Sequence, residues 1–265
     1  MPATTIAIVG ATGNIGNHIT NAKELLGGFE KKGAEIVSVG GSYQVDSLVA
    51  ALHGVQVVIS AASGFALQDQ LPIIEASKRA GVKTFYPSEY GIDDQEHPLV
   101  HPVIDAKRSI RKAVLDAGLE LVVSFTGFFG EWSKTIPIIG NGNTKYGLAP
   151  LKQLGQVVAK SIGNPSVLQG SGKEYYLIAQ VYEYTWNEIL DEHTRATGIE
   201  WKRAYMSIED AEKEIAAASD PYSVFGTYLR LWMAKGYGVS KKNIADRFQL
   251  PVVDLYTLFG GVTKK

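Results

Sequence analysis

The chain contains no cysteine, which excludes disulfides, thiolate metal centres and a cysteine nucleophile. It has no excess of charge of either sign: 26 Lys and Arg stand against 27 Asp and Glu. With no run rich in Lys and Arg, nucleic-acid binding through a broad basic face is not expected. No apolar stretch approaches the roughly 20 residues of a membrane span. The first residues, Met-Pro-Ala-Thr-Thr, run straight into Ile6-Ala7-Ile8-Val9, without the basic and long apolar regions of a signal peptide. The expectation is a cytoplasmic protein with no membrane partner. His18, His53, His97, His101 and His193 are scattered without ligand spacing, so no metal site is expected. A G-x-S-x-G elbow is missing too, which leaves hydrolase chemistry without a serine nucleophile.

What is present is an alternation of short apolar runs and amphipathic segments. The runs at 6–9, 34–39, 55–61, 82–86 and 119–125 read as strands. Those at 17–26, 46–52, 69–80 and 103–117 read as helices. β-Branched, nearly continuous apolar strands separated by helices predict an α/β fold with a doubly wound parallel sheet, of Rossmann type, covered on both faces. Past Thr126 the pattern loosens. A turn is expected at Gly140-Asn141-Gly142-Asn143, helices at 154–162, 186–197 and 207–218, and a strand at 174–179. This predicts a dinucleotide-binding domain over 1–132 and a smaller α+β substrate-binding part over 133–265, with the chain able to return to the sheet.

Gly10, Gly13 and Gly16 lie between the first strand and the first helix. The first glycine allows a tight turn. The second lets a pyrophosphate approach the backbone, and the third lets the helix close on the sheet. Phosphate then meets N–H groups at the positive end of the helix. The strand–turn–helix setting makes dinucleotide binding the reading, against a purely structural turn. The residue that usually reads the adenosine ribose, an acid or Arg at the end of the second strand, has no counterpart: 34–39 runs into Gly40-Gly41-Ser42.

In the helix after His101-Pro102, Val103, Ile110 and Val114 form one stripe, and Lys107 falls within about 40° of it at about 100° per residue. Arg108, Arg111 and Lys112 are expected to point to solvent. An inward lysine either snorkels to water or sits beside a ligand. Burial, Arg111 and the positive helix end would disfavour its charged form and suit it to proton transfer.

Several segments resemble the NmrA-like and isoflavone-reductase-like proteins, with the family's fungal members the nearest in look. They are Gly10-Ala11-Thr12-Gly13-Asn14-Ile15-Gly16, Phe85-Tyr86-Pro87-Ser88-Glu89-Tyr90-Gly91, Asp105-Ala106-Lys107, Thr126-Gly127-Phe128-Phe129-Gly130-Glu131-Trp132, Gly142-Asn143-Thr144-Lys145 and Thr185-Trp186-Asn187-Glu188. The resemblance implies an atypical short-chain dehydrogenase fold binding NADP(H) ahead of NAD, a small aromatic substrate, and a monomer or homodimer. It implies that Lys107 binds the nicotinamide ribose and transfers a proton. Pro87, Ser88 and Phe128 would line the nicotinamide pocket, and Ala62 and Ser63 would lie under the adenosine half. Family members end their second strand in an Arg that holds the 2′-phosphate, and that Arg is absent here.

The only Tyr-x-x-x-Lys pair, Tyr237 to Lys241, lies far from the strand end that ordinary short-chain dehydrogenases use, and is read as chance. Tyr222, Phe225, Tyr228, Leu229 and Trp232 share a helical stripe that is core packing or the wall of an apolar pocket. The leading expectation is an NAD(P)H-dependent reductase of a small, apolar aromatic molecule. A non-catalytic dinucleotide sensor and a paralogue that binds no cofactor are the rivals.

Overall fold

A computed structural model describes residues 4–11, 13, 33–39, 43–63, 66–96, 99–129, 137–200, 202–250 and 253–259. The expected helix at 17–26, the turn residues Thr12, Asn14, Ile15 and Gly16, and the expected boundary after residue 132 lie outside these. The chain divides into two compact units. The first comprises Met1–Tyr90, Val103–Phe125 and Leu154–Leu177, and the second Gly91–Pro102, Thr126–Gln153 and Ile178–Lys265.

The first unit is built on a sheet of β1 (Ile6–Val9), β2 (Val57–Ser60), β3 (Thr84–Tyr86), β4 (Glu120–Phe125), β8 (Glu174–Ile178) and β7 (Gln169–Ser171), in that spatial order. The strands β1 to β4 are parallel, with Ile6 beside Val57, Val58 beside Phe85 and Phe85 beside Leu121. Strand β7 pairs antiparallel with β8. The helices α1 (Val45–Ala51), α2 (Gln70–Ala80) and α3 (Pro102–Asp116) occupy the connections, and α4 (Leu151–Gly163) precedes β7. Every residue of β2 is buried, as a parallel strand covered on both faces requires. Helix α2 buries Ile73, Ile74 and Ala76, and α3 buries Val103, Ile104, Ile110 and Val114. The fold class is therefore the α/β one expected.

One expected strand does not form. Residues 34–39 pair with nothing among the described residues, and Ile36 and Val37 stand 38% and 49% exposed. Their β-branched composition meets only the local preference. A strand is held by burial of its faces and by its ladder, and the described residues supply neither. Among the described residues β1 therefore has a sheet neighbour only in β2.

The second unit is α+β. Strands β5 (Ile138–Ile139) and β10 (Tyr205–Met206) pair in parallel, and β6 (Tyr146–Leu148) and β9 (Tyr182–Tyr184) antiparallel. Helix α5 (Trp186–Thr197) begins in a capping box. The Thr185 hydroxyl accepts from the Glu188 N–H, and the Glu188 carboxylate accepts from the Thr185 N–H. Helix α6 (Ile208–Ala217) starts at the Ser207 cap and packs beside α7 (Phe225–Trp232), with Ile139, Ala211 and Leu231 between them. No helix among the described residues is long and apolar enough to cross a membrane.

The expected turn at 140–143 is present, and Asn187 holds it. Its N–H donates to the Gly142 carbonyl at 3.2 Å, and its Nδ2 donates to Asn141 O at 3.0 Å and Asn143 Oδ1 at 2.7 Å. Its Oδ1 accepts from Arg203 Nη1 and Tyr205 OH. Asn187→Ala keeps the main-chain bond and is expected to cost about 1–3 kcal/mol from the lost side-chain bonds. Urea unfolding measures it, and an unchanged midpoint would mean that water replaces them all.

Candidate active site

Strand β1 delivers the chain to Gly10, which turns with φ +78°. The Gly13 N–H closes the turn onto the Gly10 carbonyl at 2.9 Å. A Cβ at Gly10 would stand 2.6 Å from the carbonyl oxygen of Ala61, where the chain leaves β2. Both the conformation and the space exclude any other residue. At Gly13 a Cβ would meet, among the described residues, only Gly10 O, at 3.2 Å. The described part of the loop is thus bare backbone at a strand end, which fits the approach of a dinucleotide pyrophosphate.

The segments following β2 and β3 are tied to each other. Ser88 donates its hydroxyl to the Ala62 carbonyl at 2.8 Å, and its N–H to Gln70 Oε1 at 2.8 Å. Gln70 is fully buried and gives its Nε2 to Leu67 O at 3.2 Å. The first unit therefore brings Gly10, Ala62, Pro87 and Ser88 to the ends of neighbouring strands. Ser63 follows Ala62 and is exposed. Gln70 was not singled out by sequence reasoning. A buried glutamine at the start of a helix carries no periodic signal.

Lys107 is inward as expected: its side chain is 17% exposed, and Nζ donates to the backbone carbonyl of Glu89 at 2.5 Å. The surroundings differ from expectation in two ways. Arg111 does not point to solvent. It is 12% exposed and grips both carboxylate oxygens of Glu89, through Nε at 2.7 Å and Nη2 at 2.9 Å. Its guanidinium also lies over the Phe125 ring, 5.1 Å from the centroid. The reason is spacing, since residues four apart share a helix face, so an inward Lys107 brings Arg111 with it. The second difference is Glu89 itself, 2% exposed, whose carboxylate lies 3.8 Å from Nζ. The expected like-charge pressure from Arg111 is met by a carboxylate between the two cations.

Two phenols lie close by in sequence. Burial pushes the Tyr86 hydroxyl up to about 12, opposed by its hydrogen bond to Ser161 and reinforced by Glu120. Burial pushes Tyr90 higher still, with Tyr86 adding to the effect, and its hydroxyl has no partner among the described residues. Neither is poised to exchange a proton near neutral pH. Tyr146 in the second unit is also held well above the ordinary value by burial. A folded value above the unfolded one stabilises the fold fully below about pH 10, and that contribution is lost as pH rises through about 12. Absorbance at 295 nm is expected to leave at least three of the 13 tyrosines un-ionised until the protein unfolds. Smooth titration of all of them without unfolding would contradict these burials.

In the second unit, Gly127 turns with φ +73°, and a Cβ there would overlap the Gly147 carbonyl. The following residue, Phe128, bridges to Leu148, and its ring meets the edges of Tyr146 and Trp186 at 6.1 Å each. The aromatic stripe resolves by residue: Trp232 is buried, Tyr222 is 53% exposed, and Tyr222, Phe225 and Tyr228 surround the His101 ring. Tyr237 and Lys241 share no helix face, because the helical turn at Met233–Tyr237 breaks at Gly236. Among the described residues no group of three or more His, Asp or Glu is arranged to hold a metal ion.

A model of the NmrA-like family matches residues 2–152. The chain belongs to the NmrA-like family. An isoflavone reductase of Glycine max is 31% identical over 217 residues, covering 75% of this NmrA-like chain and 67% of the relative. A phenylcoumaran benzylic ether reductase of Ginkgo biloba is 28% identical over 276 residues, covering 89% of each. Among solved structures, the binary complex of leucoanthocyanidin reductase with NADPH from Vitis vinifera superposes with a TM-score of 0.80 at 21% identity. It covers 97% of this chain and 98% of that one.

Proposed function

We propose that this NmrA-like protein is an NADPH-dependent reductase of a small, apolar aromatic substrate, with Lys107 as its proton-transferring residue. The observation that carries the proposal is the half-buried Lys107 Nζ, held on a backbone carbonyl at the C-terminal ends of parallel strands, where open α/β sheets take ligands. NADP(H) supplies the hydride when bound.

The turn from Gly10 to Gly16, including Thr12, Gly13, Asn14 and Ile15, is assigned the pyrophosphate. Ala62 and Ser63 are assigned the adenosine half, and Pro87 and Ser88 the nicotinamide end. The resemblance extends the nicotinamide role to Phe128. Ser88 serves by position: its two hydrogen bonds lock the loop after β3 to the chain leaving β2. Lys107 contributes a cation to the ribose and a proton at Nζ, directly or through water. The relatives named for isoflavones and phenylcoumarans support an aromatic substrate, and the NADPH of the Vitis structure supports the cofactor.

No arginine precedes Arg79 in the chain, so the adenosine end has no guanidinium for a 2′-phosphate from the residues before α2. Calorimetry with NADPH, NADP+ and NADH, followed by an absorbance assay against a panel of phenolic and isoflavonoid acceptors, tests the reading. NADPH binding with turnover of at least one acceptor is expected. Equal binding of oxidised and reduced cofactor without turnover would overturn it in favour of a dinucleotide sensor.

A further inference from the structure

We propose that Arg111 is a positioning residue that sets the ionisation of Lys107 by holding the Glu89 carboxylate away from it. The proposal rests on the reading of Lys107 as the proton-transferring group, and it concerns what makes a lysine at this place suited to that work.

Glu89 offers Lys107 two kinds of acceptor, and the structure divides them. The backbone carbonyl takes Nζ at 2.5 Å. Both carboxylate oxygens are taken by Arg111, at 2.7 and 2.9 Å, in the two-pronged geometry that only a guanidinium offers. The nearer carboxylate oxygen is left 3.8 Å from Nζ, beyond hydrogen-bond distance. Lys107 is thus oriented by a neutral dipole and lies beside a carboxylate whose charge is already matched. A lysine bonded directly to a buried carboxylate would be locked in its charged form. One beside an unmatched arginine would be driven towards neutrality. The clamp keeps it between these extremes.

Along α3, Arg108 pairs with Asp105 and Lys112 with Asp116. The phenols of Tyr86 and Tyr90 stay protonated. Glu89 and Arg111 act on Nζ in opposite directions.

That opposition provides the test. In the full-length protein without cofactor, competitive labelling with acetic anhydride across a pH series, read by mass spectrometry, gives the titration midpoint of Lys107. Arg111→Met frees both carboxylate oxygens for Nζ and removes a cation, so the midpoint is expected to rise by on the order of one pH unit. Glu89→Gln leaves two cations facing each other, so the midpoint is expected to fall by a similar amount. Glu89→Gln with Arg111→Met removes both influences without stranding a buried charge, and should return the midpoint between the two. This pair also serves where a single variant folds poorly. Arg111→Lys keeps the charge but loses the fork, and should shift the midpoint less than Arg111→Met does. Shifts in one direction for both single variants, or none, would overturn the proposal, because a purely structural clamp does not produce opposed titrations. The labelling needs no turnover. If the midpoints move as expected while Lys107→Ala still reduces a confirmed substrate, the clamp stands and the catalytic assignment fails.

Discussion

Replacing Lys107 by alanine is expected to lower kcat for reduction of a confirmed aromatic substrate by about 100- to 10,000-fold, the usual contribution of a placed proton donor. The magnitude follows from elimination. Tyr86 and Tyr90 are held protonated by burial, and an arginine does not release its proton. Glu89 is occupied by Arg111. Of these side chains, Nζ is the one left to serve as proton donor. Loss confined to kcat, with NADPH affinity changed only modestly by the lost ribose contact, marks a group acting in the transition state. Lys107→Arg separates charge from chemistry, since it keeps a cation but has no exchangeable proton. It should restore cofactor binding without restoring turnover. Steady-state kinetics with a melting curve for each variant makes the measurement, and parental turnover in Lys107→Ala would end the assignment.

Arg111→Ala is expected to destabilise the first unit strongly. It leaves the carboxylate of Glu89, 2% exposed, without its two strongest hydrogen bonds. Breaking a buried pair from one side costs about 3–5 kcal/mol, because an uncompensated charge remains. Lys107 stands 3.8 Å away and can move in, which places the expected loss at the lower end. For a chain of this size that is about 6–12 °C in melting temperature. Alanine also uncovers the Phe125 ring that the guanidinium lies over. Glu89→Gln with Arg111→Met should recover most of the loss, as neutral replacements of buried pairs do. If the double variant melts as low as Arg111→Ala, packing and not the stranded charge is the cause.

These two residues also show how far a linear reading reaches. Val103, Ile110 and Val114 mark a buried stripe on α3, and Lys107 falls on it by counting alone. The same counting places Arg111 four residues on, on the same face, yet its identity as an arginine suggests solvent. Only a partner can reverse that expectation, and the partner is Glu89, on the loop after another strand. The residues at 34–39 fail in the opposite sense. Their composition is that of a strand, but a strand exists by its neighbours, and the fold supplies none among the described residues. Gln70 escaped notice for a related reason: a buried amide is intelligible only once Ser88 and Leu67 are seen around it.

By itself the sequence determined the alternation of parallel strands and helices, the glycine turn after β1 and the inward direction of Lys107. Each depends on a periodicity or on one residue's backbone freedom, which are local properties. The tertiary structure alone decided that Gly10 presses on the carbonyl of Ala61 and that Ser88 ties two strand ends together. It also decided that the lysine shares its glutamate with an arginine. Those outcomes join residues 18 to 51 positions apart in the chain, where spacing carries no information. Burial and the matching of donors to acceptors determine which groups meet.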